Sequence, residues 1–193
     1  MKITFLGGGN MASALIGGLL NQGFSPEEMA VIEIGAENRA RLKNAFGVRC
    51  YAEPEDKAMQ CDALMLAVKP LEMREACTPL QKYLEQQLVI SIAAGLRLAD
   101  LSRWLGGHDK LVRAMPNTPA LIGSGVTGLF ALPSVSEAER LGAERILRAV
   151  GSTLWVTDEA QIDAVTAISG SGPAYVFLSI EALQQAAITL GFT

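Results

Sequence analysis

The 193-residue sequence holds one histidine, three cysteines and no block of lysine or arginine. The lone histidine, His108, lies in the turn Gly106-Gly107-His108-Asp109, so no nucleophilic triad can be assembled around it. No histidine, cysteine and acidic residues fall at metal-ligand spacing, and no metal site is expected. Cys50, Cys61 and Cys77 are odd in number and scattered. They read as buried thiols of a reducing compartment, not as a disulfide frame. A net charge of -4 without a basic face excludes a nucleic-acid partner. The apolar runs are shorter than the ~20 residues that span a bilayer, so no membrane role is read. Met1-Lys2 leads straight into Ile3-Thr4-Phe5-Leu6 with no charged leader, and a cytoplasmic protein is expected.

What is present is apolar and rich in glycine. Apolar residues make up 50% of the chain and charged residues 19%, and 19 residues are glycine. This is a well-buried globular composition. Residues 2–6 read as a strand, about 10–22 as a helix, 30–34 as a strand, 37–46 as a helix and 47–50 as a short strand. The run 62–68 does not alternate and reads as a strand buried on both faces, stopped by Pro70. A helix over 71–83, a strand over 88–92, a helix over 98–105 and a strand over 110–114 follow. Two strand-like pieces, 126–130 and 153–156, flank a helix over 136–149. This alternation predicts an α/β fold: a mostly parallel sheet with helices on both faces. Right-handed crossovers then gather successive loops at the strands' carboxyl edge, where such sheets bind ligands.

After Thr157 the pattern turns helical. Residues 159–168 read as a helix, Ser169-Gly170-Ser171-Gly172-Pro173 as an interrupting loop, and 174–190 as a second helix. Val176, Phe177, Ile180, Leu183, Ala187 and Leu190 give that helix a broad apolar face. The division expected is a dinucleotide-binding domain over 1–157 and the beginning of an all-helical second domain over 158–193.

The dinucleotide reading comes from Gly7-Gly8-Gly9-Asn10-Met11-Ala12, which follows the first strand at once. Gly7 permits a sharp turn from strand to helix, Gly9 leaves the backbone open to a diphosphate, and small Ala12 lets helix and strand pack closely. The free N–H groups of the helix's first turn then face the phosphates, aided by the helix dipole. At the end of the second strand Glu33 can accept hydrogen bonds from the adenosine ribose of NAD, whereas Arg39 can pair with the extra phosphate of NADP. NADPH or NADH is therefore expected, with a lean toward NAD.

Further loops reach the same edge. Val68-Lys69-Pro70 offers a lysine to a ribose or phosphate, and Ser91-Ile92-Ala93-Ala94-Gly95 offers small residues against which a flat ring can lie. Arg113-Ala114-Met115-Pro116-Asn117-Thr118-Pro119 is rigid and polar. The loop 169–173 carries N–H groups suited to a carboxylate. Hydride transfer fits this inventory, because it needs placement more than a side-chain acid or base. No catalytic side chain is assigned.

Taken in order, Phe5-Leu6-Gly7-Gly8-Gly9-Asn10-Met11-Ala12, Ala67-Val68-Lys69-Pro70, Ser91-Ile92-Ala93-Ala94-Gly95, Arg113 through Pro119 and Ile168 through Tyr175 resemble the pyrroline-5-carboxylate reductase family. The resemblance implies reduction of the cyclic imine L-1-pyrroline-5-carboxylate to L-proline by NAD(P)H, on a Rossmann-like domain followed by a helical domain that forms a homodimer or higher oligomer. It implies that Gly7, Gly9, Asn10, Met11 and Ala12 hold the diphosphate region. Val68, Lys69, Pro70, Ala93, Ala94 and Asn117 would line the ribose and nicotinamide end, and Ser169, Gly170, Ser171, Gly172 and Pro173 would shape the substrate side. The family often has asparagine, serine or arginine where Glu33-Ile34 stand. Its members also continue into a glycine- and threonine-rich segment that binds the carboxylate, so this chain is expected to bind cofactor better than it reduces substrate. The alternatives are a 3-hydroxyacid or related imine dehydrogenase, although Asp163 through Ile168 lack that group's catalytic base, and a cofactor-binding module without turnover.

Overall fold

The computed structural model describes residues 1–192. Eight strands form one sheet: β1 (Ile3–Leu6), β2 (Met29–Ile32), β3 (Arg49–Tyr51), β4 (Ala63–Leu66), β5 (Leu88–Ser91), β6 (Leu111–Met115), β7 (Gly125–Ala131) and β8 (Gly151–Trp155). Their order is β3-β2-β1-β4-β5-β6-β7-β8. All neighbours pair in parallel except β6 and β7, which run antiparallel with Arg113 opposite Phe130. The helices are α1 (Asn10–Asn21), α2 (Ala36–Phe46), α3 (Asp56–Met59), α4 (Met73–Cys77), α5 (Leu98–Trp104), α6 (Glu137–Leu147), α7 (Ala160–Val165) and α8 (Gly172–Thr189).

The sheet separates two apolar layers, and the two-residue period of its strands feeds both. In β4, Ala63 and Met65 join Leu15, Ile16 and Leu19 of α1, Leu42 of α2 and Ile146 of α6 on one side. Leu64 and Leu66 join Met73 and Cys77 of α4 and Leu98 and Leu101 of α5 on the other. This two-sided burial is why the 62–68 run shows no alternation. The chain leaves β1 for β2 on one side of the sheet's centre and starts again at β4 on the other. The β1/β4 boundary is thus the switch point at which open α/β sheets form their ligand crevice.

The structure corrects two expectations and adds one element. The 71–83 helix is three pieces: a tight turn over Pro70–Glu72, α4, and a second tight turn over Thr78–Tyr83. Pro79 lacks the N–H that an α-helix would need there. A short helix, α3, replaces part of the connection between β3 and β4. Finally, 169–173 is not an interrupting loop. Thr166–Gly170 forms a π-helical turn, and α8 begins at Gly172 with Pro173 in its first turn, where the missing N–H costs nothing.

Candidate active site

Gly7 and Val68 meet at the switch point. Gly7 has φ +96°, and a Cβ there would lie 2.8 Å from the Ala67 carbonyl oxygen and 2.9 Å from Val68 Cγ1. Only glycine lets the β1–α1 turn pass so close to the end of β4. Around Gly9, by contrast, a Cβ would meet nothing within 4 Å. Gly9 and Asn10 are exposed, Met11 is half-buried and Ala12 is buried against the core.

The start of α1 is bare. No side chain caps it, and its first turn carries no acidic residue. Among the other helices, α6 closes a reciprocal Ser136–Glu139 capping box, and α2, α3, α4, α5 and α7, though also without a side-chain cap, each carry an acidic residue in the first turn; among the described residues, α1 shares its bare, acid-free start with α8 alone. The positive end of α1 is thus left for an anion, and an open space at Gly9 lets one approach. The residues fit a dinucleotide's diphosphate.

At the adenosine end, Glu33 is used internally. One carboxylate oxygen accepts from Gly8 N–H at 3.0 Å and the Asn38 amide at 2.8 Å, and the other accepts from Gly35 N–H at 2.8 Å. Burial pushes its carboxyl up, but hydrogen bonds from Gly35, Asn38 and Gly8, with the charge of Arg39, outweigh burial and hold it below the usual carboxylate range. Arg39 donates to the Glu33 and Ile34 carbonyls at 2.7 and 2.8 Å. Arg41, which the sequence reading missed, donates to the Gly8 carbonyl at 3.1 Å, to Ser13 Oγ at 3.2 Å and to Asn38 Oδ1 at 2.9 Å. The crossover from β2 into α2 brings this arginine back to the glycine turn. On the sequence it looks like any solvated helix residue.

The other loops converge on the same edge. Lys69 and Pro70 are exposed at the end of β4. Ala93 is buried, with its N–H given to Ser91 Oγ at 3.3 Å, and Ala94 is half-buried. Asn117, just beyond β6, accepts from Val126 N–H at 2.9 Å and donates to Ser169 Oγ at 3.0 Å. The segments around 117 and 169 are therefore in direct contact. Gly170 packs close beside it, where a Cβ would lie 2.9 Å from Met115 Cε and displace the end of that side chain.

The strand that leads to Asn117, β6, carries a buried arginine. Arg113 is 1% exposed and pairs with Glu159 at 3.4 Å and with Asp163 of α7, while its Nε has no partner. Glu159 also accepts from Leu98 N–H at 2.7 Å. One charged cluster thus ties β6, the start of α5 and α7 together. Along α8, Tyr175, Val176, Phe177, Leu178 and Leu183, and Leu190 just after it, are all more than half exposed.

Elsewhere, His108 touches the Gln87 carbonyl at 2.9 Å and belongs to the opposite edge. That edge also holds a polar cavity of about 600 Å³ lined by Lys2, Glu28, Asp62, Lys82 and Tyr83. Among the described residues, no group of three or more histidine, cysteine or acidic residues is placed to hold a metal, and no helix is long and apolar enough to cross a membrane.

Residues 2–95 match the family described as NADP oxidoreductase coenzyme F420-dependent, and residues 159–193 match the family described as pyrroline-5-carboxylate reductase dimerisation. The chain is 45% identical to pyrroline-5-carboxylate reductase of Pseudomonas aeruginosa over 193 residues, which is 100% of this chain and 71% of that protein. It superposes on a pyrroline-5-carboxylate reductase of Coxiella burnetii with a TM-score of 0.92 and 42% identity, covering 100% of this chain and 72% of the other. The Plasmodium falciparum pyrroline carboxylate reductase, solved with NADP bound, gives 0.88 and 30% identity, covering 100% and 71%. The glycine turn at the switch point and the helical segment behind it thus sit in a shared scaffold, and this chain belongs to the pyrroline-5-carboxylate reductase family.

Proposed function

We propose that the protein reduces L-1-pyrroline-5-carboxylate to L-proline, with the glycine turn at the switch point, open at Gly9 and leading into the uncapped, acid-free start of α1, as the observation that carries the reading. Gly7, Gly9, Asn10, Met11 and Ala12 hold the cofactor's diphosphate there. Val68, Lys69, Pro70, Ala93 and Ala94 border its ribose and nicotinamide, with Asn117 alongside. When bound, NAD(P)H supplies the hydride that adds to the imine carbon, and a proton at the ring nitrogen completes the secondary amine. An imine nitrogen protonates readily, so the chain's work is to position the ring, exclude water and satisfy the carboxylate. Ser169, Gly170, Ser171, Gly172 and Pro173 form the substrate side.

Glu33 stays ionised but spends its oxygens on Gly8, Gly35 and Asn38, while Arg39 and Arg41 bring positive charge to the adenosine end. This favours acceptance of NADPH as well as NADH, against the lean to NAD drawn from Glu33 alone. The chain divides functionally at 157/158. The exposed apolar side chains of α8, in the segment that matches a dimerisation family, support a homodimer built across that helix. The three free thiols suit a reducing compartment such as the cytoplasm.

The test is consumption of NADPH and of NADH by purified protein given pyrroline-5-carboxylate, with proline identified as product. Firm cofactor binding with slow but measurable proline formation is expected. Cofactor binding without any proline would overturn the enzymatic reading and leave a binding module.

A further inference from the structure

We infer that Asn117 fixes Ser169 as a hydrogen-bond donor to the carboxylate of the substrate, an assignment that rests on the reductase reading above. The polarity follows from one fixed point. Val126 N–H can only donate, so the Asn117 atom facing it at 2.9 Å is the oxygen. The amide's NH2 must then face Ser169, where it donates to Oγ at 3.0 Å. Ser169 accepts in that contact, and its own proton is left to give.

Three hydroxyls in this helical stretch spend that proton locally, while Ser171, like Ser169, does not but lacks, among the described residues, an Asn117-like partner to orient it. Thr166, Ser179 and Thr189 each donate to the carbonyl four residues back, at 2.8, 3.0 and 2.9 Å. Ser169 makes no such bond. It lies in the π-helical turn Thr166–Gly170, whose wider spacing departs from the i−4 geometry, and such turns recur at functional positions. The contact with Asn117 also places it beside the carboxyl edge of β6. The first turn of α8, three residues on, carries no acidic side chain, so nothing fixed there competes for the proton. A hydroxyl held as donor at the positive end of an 18-residue helix matches a carboxylate. Asn117 is a positioning residue in this arrangement, because it acts through Ser169.

Asn117→Asp tests the polarity directly. An aspartate keeps the Val126 bond but has no NH2, so its second oxygen takes the Ser169 proton and turns the hydroxyl away from substrate. Steady-state kinetics are measured for Ser169→Ala, Asn117→Asp and the double variant. Two substrates are used: pyrroline-5-carboxylate and 1-pyrroline, the same ring without the carboxylate. Either single substitution is expected to lower kcat/KM for pyrroline-5-carboxylate roughly 10- to 100-fold, the worth of a hydrogen bond to a charged group. The loss on 1-pyrroline should be far smaller. The double variant should be no worse than Ser169→Ala, since both act on one proton, and Ser169→Thr should recover much of the activity. Equal losses on both substrates, additive losses in the double variant, or an unaffected Ser169→Ala would each overturn the assignment. Wild-type turnover of pyrroline-5-carboxylate is measured first. Its absence overturns the proposed function and this inference with it, whereas turnover with any of those three results overturns the inference alone.

Discussion

Arg113 gives a prediction in which removing a charge is milder than removing its partners. Its guanidinium is 1% exposed, whereas the side chains of Glu159 and Asp163 are 23% and 55% exposed. Replacing both acids, as Glu159→Gln with Asp163→Asn, strands a buried cation whose Nε already lacks a partner. A buried charge robbed of its counter-ion costs about 3–5 kcal/mol, and partial solvent access on the acid side places this case near ~3 kcal/mol. Arg113→Met instead removes the buried charge and keeps similar volume. The two carboxylates already reach water, and Glu159 keeps the Leu98 N–H, so the cost should stay below ~1.5 kcal/mol. Urea unfolding at neutral pH measures both, and adding Arg113→Met to the double variant should restore stability. If Arg113→Met proves as damaging as the double variant, the cluster is net stabilising and the reasoning from desolvation is wrong.

Gly7→Ala should destabilise by ~2–4 kcal/mol, because it combines a positive φ with overlap of the Ala67 carbonyl, and should weaken NADPH binding; a thermal scan with and without cofactor reads both. Glu33 has its pKa lowered in the fold, so its stabilisation is complete above the ordinary carboxylate range and is lost as pH falls through the lowered value. The stability gap between wild type and Glu33→Gln should therefore be widest near neutral pH and close on acidification, as unfolding curves at a series of pH values will show. Burial pushes the Cys77 thiol up to about 12 and raises Cys50 and Cys61 as well. A thiol reagent at neutral pH should label the native protein slowly and the urea-unfolded protein fast; rapid labelling of native Cys77 would contradict its burial.

Local signals were legible in the sequence, and contacts across long separations were not. The strand, glycine turn and helix over 2–22 could be read because every determinant lies within about two turns of chain: a buried strand, then small residues, then helical spacing. The direction of β7 could not, since the strand-like composition of Val126–Phe130 does not say how it pairs. The 71–83 helix was overdrawn because its apolar spacing persists through Pro79, which breaks the backbone bonding. Ser169 through Pro173 has the composition of a loop, yet the chain stays helical there: Gly170 packs on Met115, and Pro173 sits where its nitrogen needs no proton. Glu33 was placed correctly on the chain, but nothing in the sequence showed that Gly8, Gly35 and Asn38 would occupy its oxygens. Arg41 and the Asn117–Ser169 contact depend on folded proximity across 33 and 52 residues, which no local pattern encodes.

Gly9 offers the most direct test that α1's bare N-terminus holds the cofactor. Its φ is negative and a Cβ would enter open space, so Gly9→Val should change unfolding free energy by no more than ~0.5 kcal/mol. In calorimetric titration the same variant should bind NADPH at least tenfold more weakly than wild type, about 1.4 kcal/mol or more. A folded Gly9→Val protein that binds NADPH as wild type does would contradict the account.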